Sequence, residues 1–110
     1  MKDIDQYGIF TEKMWFSGKA GVPTQERDLP IMALGLAGEV GEVVEHIKHL
    51  IRDEQLDKDA LKKELGDAVF YWARICKYFG MEPSEVLADN IAKLESRRDR
   101  NTLRGRGDNR

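Results

Sequence analysis

The sequence is poor in cysteine, in histidine and in long apolar runs. One cysteine, Cys76, stands among 110 residues. An internal disulfide is therefore impossible, and a reducing, cytoplasmic setting is expected. Cys76 lies in an apolar stretch and is expected to be a core thiol, following the burial habit of free cysteine. No apolar run approaches the roughly 20 residues that a membrane helix needs, so no membrane partner is expected. The start, Met1-Lys2-Asp3-Ile4-Asp5, lacks the basic and apolar segments of a signal peptide. The two histidines, His46 and His49, are three apart, and no Glu-x-x-His motif accompanies them. That argues against a metal-storing or redox bundle of the di-iron kind. Alternation with period 2 is scarce as well, which leaves little room for strands.

What remains is charge and helical periodicity. Charged residues make up 35% and hydrophobic residues 41%, a balance that fits one globular domain. The formal net charge is -2, but it is unevenly spread. Arg97, Arg98, Arg100, Arg104, Arg106 and Arg110 crowd the C-terminal end against Asp99 and Asp108, so the body is clearly acidic. An acidic body repels nucleic acid and argues against it as a partner. A chain this short buries a limited core, and burial between subunits is a natural supplement.

The spacing predicts four helices. The first is expected from about Asp3 to Gly18, with Ile4, Tyr7, Phe10, Met14 and Trp15 at three-to-four spacing. A break follows at Gly18-Lys19-Ala20-Gly21-Val22-Pro23. The second is expected from about Leu29 to Arg52, with Asp28 as N-cap and Pro30 in its first turn. Its stripe of Leu36, Val40, Val43, Val44, Ile47, Leu50 and Ile51 is expected to pack in the core. The third runs from about Lys58 to Tyr78, with Leu61, Leu65, Ala68, Val69, Trp72, Ile75, Cys76 and Phe79 facing inward and Gly80 at C′. The fourth runs from about Pro83 to Arg98, with Val86, Leu87, Ile91 and Leu94 inward. Short links between such helices imply an all-α four-helix bundle. We divide the chain into a helical domain over 1–98 and an Arg-rich tail over 99–110, expected to be extended or loosely ordered.

Two acidic pairs carry the chemistry. Glu39 and Glu42 are three apart on the second helix, hence on one face. Glu64 and Asp67 repeat the arrangement on the third. Both pairs lie beside an apolar stripe, so antiparallel packing lets four carboxylates converge. Such a group is costly unless some members protonate or a cation binds. Mg²⁺ takes oxygen ligands and commonly joins carboxylates to phosphates. An ordinary solvated acidic face is the competing reading. Gly35, Gly38 and Gly41 tilt the choice. Each costs about 1 kcal/mol inside a helix, and three together call for a close helix neighbour or a ligand near the backbone.

Gly38-Glu39-Val40-Gly41-Glu42-Val43-Val44-Glu45, followed by Lys63-Glu64-Leu65-Gly66-Asp67, resembles the Glu-x-x-Glu … Glu-x-x-Asp signature of the MazG-like all-α NTP pyrophosphatases. The Gly-Glu-x-Gly-Glu form looks most like small single-domain members of the dCTP pyrophosphatase and phage-encoded types. The likeness continues through Asp89-Asn90-Ile91-Ala92-Lys93-Leu94-Glu95-Ser96-Arg97 and on to the closing Gly105–Arg110 stretch. Some members carry two adjacent glutamates at the start of the first motif; here the earlier position is Gly38.

The resemblance implies Mg²⁺-dependent hydrolysis of a nucleoside triphosphate, with Mn²⁺ as a substitute. Water would attack the α-phosphorus to give the monophosphate and pyrophosphate. Glu39, Glu42, Glu64 and Asp67 would hold the metal, and one carboxylate would take the proton of the water. Asn90 and Lys93 would contact phosphates, and Arg97 continues that face. Tyr71 shares a face with Asp67 and would touch sugar or phosphate; a core or interface place is the other reading. Phe10, Met14, Trp15 and Phe16 offer a stacking surface for the base, with Trp15 first. The resemblance also implies a homo-oligomer, a tetramer or else a dimer. The alternative is a non-enzymatic helical interaction module whose basic tail binds nucleic acid. It predicts nucleic-acid affinity that falls steeply with salt and survives Glu39→Gln.

Overall fold

The computed structural model describes residues 3–15 and 25–110, with residues 25 and 26 described by backbone alone. Four helices account for most of them: α1 (Ile4–Met14), α2 (Gln25–Asp53), α3 (Lys58–Tyr78) and α4 (Pro83–Asp99). No strand occurs among the described residues. The all-α class follows from the periodicity. Two boundaries differ from expectation. α1 ends at Met14, where Trp15 turns extended as C-cap, and the expected Gly18–Pro23 turn and Phe16 lie outside the described residues. α2 begins at Gln25 and runs through Pro30, so Asp28 is not its N-cap. Asp28 is instead buried, one oxygen without a partner, and it acts electrostatically on Arg74 of α3. A proline signal was taken as a helix start, but the turn before Pro30 is kept helical while Asp28 faces inward as a counter-charge.

The other ends follow local chemistry. Asp3 caps α1 in a capping box with Gln6. Asp57 caps α3 through Ala60 N at 3.0 Å. Gly80 takes φ +72 just beyond α3, the left-handed position a C′ glycine serves. α4 starts on Pro83 with no cap from its own N-cap residue, Glu82. Its first turn is capped by α1: Asp5 accepts from Ser84 N at 2.8 Å and from the Ser84 hydroxyl. The carboxylate lies at the positive end of α4, and the Ser84 hydrogen bonds hold its pKa below the usual carboxylate value.

α3 is the spine. α2 packs on α3 alone, while α1 and α4 pack on α3 and on each other. Gly8 of α1 admits Pro83; a Cβ there would stand 3.2 Å from the proline ring. Thr11, fully buried, donates to Gly8 O and accepts from Arg74 Nη1 at 3.3 Å. The Arg74 guanidinium lies 5.9 Å from the centre of the Trp15 ring. Met32, Ala73 and Cys76 are buried, the last as expected.

The apolar stripes are a different matter. Val40, Val44, Ile47, Leu50 and Ile51 of α2 are exposed, as are Leu65, Val69 and Phe79 at α3 and Leu87, Ile91 and Leu94 of α4. They were expected in a core. One chain cannot bury them, because α2 has α3 on one side and nothing described on the other. The C-terminal stretch also departs from expectation. Rather than running extended, residues 102–110 fold into turns around Arg110, which donates to the carbonyls of Thr102, Leu103 and Gly107.

Candidate active site

α1 and α2 both pack on α3, and side chains of all three helices line a groove. Its cavity of about 630 Å³ is lined by Tyr7, Phe10 and Met14 from α1, Glu39 from α2, and Gly66, Asp67, Phe70 and Tyr71 from α3. That volume suits a nucleotide-sized ligand. Its lining combines two carboxylates with four aromatic rings.

Glu39, Glu64 and Asp67 each place a carboxylate oxygen within 4.8 Å of the others, and Glu39 and Asp67 of these line the cavity. Two of the three stand three apart on α3, and the third comes from the helix packed against it. Mutual proximity has a price in proton affinity. A hydrogen bond with Glu64 is the leading cause, followed by burial and the charges of Asp67, Glu64 and Glu42; together they raise the Glu39 pKa from 4.5 to about 7. Such a hydrogen bond requires that one carboxyl keep a proton. Glu39 Oε2 is buried and has no partner at all. Glu42 is near enough to act on Glu39 but is exposed and stands outside the trio.

An orphaned buried oxygen among converging carboxylates is what a divalent cation would satisfy. The set offers oxygen alone, without histidine or thiolate, which favours Mg²⁺ or Mn²⁺ over softer metals. The residues present thus fit the metal that the sequence motif implies.

The chain also matches known proteins. The MazG nucleotide pyrophosphohydrolase domain matches residues 29–102. The chain belongs to the MazG nucleotide pyrophosphohydrolase domain family. This MazG chain is 34% identical over 112 residues to the Gene 37 protein of Mycobacterium phage L5, an alignment covering 97% of this chain and 98% of the phage protein. No solved structure gave a significant match.

The lining of this MazG groove sorts the sequence-derived candidates. Phe10 and Met14 line it, and so does Tyr71. Tyr71 is seated by Gly35: a Cβ at residue 35 would come within 2.4 Å of the Tyr71 ring. The close approach expected of the α2 glycines is therefore real at Gly35. A Cβ at Gly38 or Gly41 meets nothing within 4 Å. Trp15, the first choice for the base, does not line the cavity. It packs behind the lining, against Phe70 at 6.3 Å and edge-on to Tyr71 at 6.4 Å. Tyr7 takes a place that the sequence reading gave only to core spacing. Burial and the Asp67 charge raise its pKa. Its register with Phe10 and Met14, at i, i+3 and i+7, was the available signal.

α4 contributes nothing to the cavity of its own chain. Asn90 is exposed. Lys93 and Arg97 are held by Asp108 of the tail, through Lys93 Nζ at 2.8 Å and Arg97 Nη2 at 2.9 Å.

Proposed function

We propose that this groove binds a nucleoside triphosphate and hydrolyses it to the monophosphate and pyrophosphate. The observation that carries the reading is one cavity whose lining joins Glu39 and Asp67 of the carboxylate trio to four aromatic rings. Glu39, Glu64 and Asp67 would hold Mg²⁺, or Mn²⁺ in its place, with Glu42 close enough to add its charge. When bound, the metal neutralises phosphate oxygens and lowers the pKa of water. The chain's own residues do the rest. The carboxylates orient the triphosphate so that the α-phosphorus lies near them. A carboxylate of the set takes the proton of the attacking water. Tyr7, Phe10, Met14, Phe70 and Tyr71 line the groove and enclose the base. Trp15 acts at one remove, by fixing the Phe70 and Tyr71 rings.

The working unit is a homo-oligomer, a tetramer or a dimer. One chain exposes 8415 Å², whereas a compact monomer of this length exposes about 6,200 Å². Its radius of gyration is 16.9 Å, against about 13 Å for a compact domain of this length. The apolar residues on the outer faces of α2 and α4 are the surfaces a second copy would cover. Asn90, Lys93 and Arg97 then serve substrate in an assembled particle, Arg97 most weakly. No described helix is long and apolar enough to cross a membrane, and a cytoplasmic setting fits the single thiol.

The test is an HPLC panel of all common NTPs and dNTPs, with Mg²⁺ and with Mn²⁺. Monophosphate and pyrophosphate should appear in equal amounts from at least one. Absence of monophosphate across the whole panel ends the hydrolase reading.

A further inference from the structure

The C-terminal lobe places a carboxylate on two cations. Asp108 Oδ1 lies 2.8 Å from Lys93 Nζ and 2.9 Å from Arg97 Nη2, and Arg97 Nη2 also donates to the Asp108 carbonyl. These bonds, Lys93 first and then Arg97, hold the Asp108 carboxyl down at about 2. The two cations differ in setting. Lys93 is half-buried, whereas Arg97 is 4% exposed. A guanidinium so buried ordinarily uses its whole fork, because an unpaired donor out of water is costly. Arg97 does not: Nε is buried and has no acceptor. Asp108 engages one edge of the fork and leaves the adjacent N–H idle. A tetrahedral phosphate, with several oxygens, takes Nε and Nη2 together and still reaches a lysine beside them.

The tail is built to present Asp108 there. Arg110 gathers the carbonyls of Thr102, Leu103 and Gly107, and Arg100 Nη2 donates to Arg110 O at 2.8 Å. Gly105 leaves room for this, since a Cβ would come 2.7 Å from Arg110 Cδ. Gly107, with φ +78, turns the chain immediately before Asp108. The anion is thus carried by a folded lobe and not by a dangling end. Its carboxylate is itself exposed, so a competing anion has a path to the seat.

We infer that Lys93 and Arg97 form a phosphate seat in which Asp108 is a built-in competitor, and that a polyphosphate group must displace the C-terminal lobe to bind. The class of anion rests on the pyrophosphohydrolase reading; the competition rests on the contacts alone. If the lobe occupies the seat about nine-tenths of the time, removing its charge raises apparent affinity about tenfold.

Calorimetric titration of the full chain with inorganic pyrophosphate, without divalent metal, compares wild type with Asp108→Asn. The variant should bind about tenfold more tightly. In the wild type, pyrophosphate should also speed tryptic cleavage after Arg104 and Arg106, where sodium chloride of equal ionic strength does not. Equal affinity in the two proteins, with tail cleavage indifferent to pyrophosphate, overturns the latch. NTP turnover is scored separately. If no NTP is hydrolysed but Asp108→Asn gains affinity, the latch stands and the hydrolase reading falls. If NTPs are hydrolysed but affinity is unchanged, the latch alone falls.

Discussion

Glu39 gives the sharpest test of the acidic site, because its cost to the fold depends on pH and on metal. Its pKa is raised from 4.5 to about 7 by Glu64, by burial and by the neighbouring charges. A raised carboxyl pKa means that the folded state prefers the proton. The penalty is therefore absent below about pH 4.5, grows as pH rises, and is complete above about pH 7. At about 1.4 kcal/mol per tenfold change in proton affinity, the ceiling is roughly 3 kcal/mol. Glu39 is only half-buried, and screening brings this to about 1–2 kcal/mol. For a chain of this size, that is a fall in Tm of about 5–10 °C between pH 5 and pH 8. Asp5 and Asp108 do not confuse the window. Their pKa values are lowered, so what they contribute is lost only as pH falls below the ordinary carboxylate range. The measurement is thermal unfolding in EDTA at fixed protein concentration, since an oligomer's Tm depends on it. Glu39→Gln should flatten the slope and raise Tm at pH 8. Mg²⁺ should stabilise the wild type at pH 8 by about 2.7 kcal/mol at a hundredfold excess over Kd, and so raise its Tm. It should do far less for Glu39→Gln. A wild-type slope equal to that of the variant refutes the raised pKa. A Mg²⁺ response equal in both proteins refutes Glu39 as a ligand.

Glu64→Gln and Asp67→Asn should each keep the helical circular dichroism of the wild type and lose at least about a hundredfold in turnover, as expected when a ligand of a catalytic metal is removed; unchanged kcat would remove that residue from the site. Gly35→Ala should push the Tyr71 ring out of its seat, cost about 1–3 kcal/mol by overpacking, and raise KM; denaturant midpoints and initial rates measure the two effects. Gly38→Ala, with open space around its Cβ, should be neutral or slightly stabilising for one chain, so a drop in assembly size on sedimentation would place Gly38 at a subunit contact. Arg74→Lys should lose the Thr11 hydrogen bond and the contact over Trp15, lowering stability by about 1–2 kcal/mol, with a change in Trp15 fluorescence as the local readout. Val44→Glu together with Ile51→Glu should reduce the assembly without unfolding α2, because both side chains are already exposed in one chain.

The four helices were legible because each carries its apolar residues at three-to-four spacing, and because stops such as Gly80 have one backbone use. The acidic trio was legible for the same reason: Glu64 and Asp67 share a face by periodicity, and Glu39 sits at the edge of a stripe that must meet another helix. What periodicity cannot give is which surface covers a stripe. Val40, Val44 and Ile51 look like core in the sequence, and in one chain they face outward. Inward with respect to a helix is not inward with respect to a chain. The same ambiguity left Trp15 and Tyr7 unsorted: Tyr7, on α1, lines the groove, whereas Trp15, its extended C-cap, packs against Phe70 and Tyr71.

Partners far apart in sequence were also out of reach. Asp5 caps the first turn of α4 through Ser84, 79 residues further along the chain, and no local pattern reports that. Asp28 had every mark of an N-cap, yet it lies buried within the first turns of α2, where its charge acts on Arg74 of α3. The tail shows the converse. Its arginines suggested a mobile basic end, because charge counts ignore acceptors. One of them, Arg110, instead takes three backbone carbonyls and gives the segment a shape, and Asp108 spends two cations of α4 that the motif had offered to substrate. In both cases the missing information is a pairing of polar groups. The hydrophobic pattern sets which faces turn inward. Where the buried and half-buried charges find their partners, and that one oxygen of Glu39 finds none, lies outside what that pattern reports.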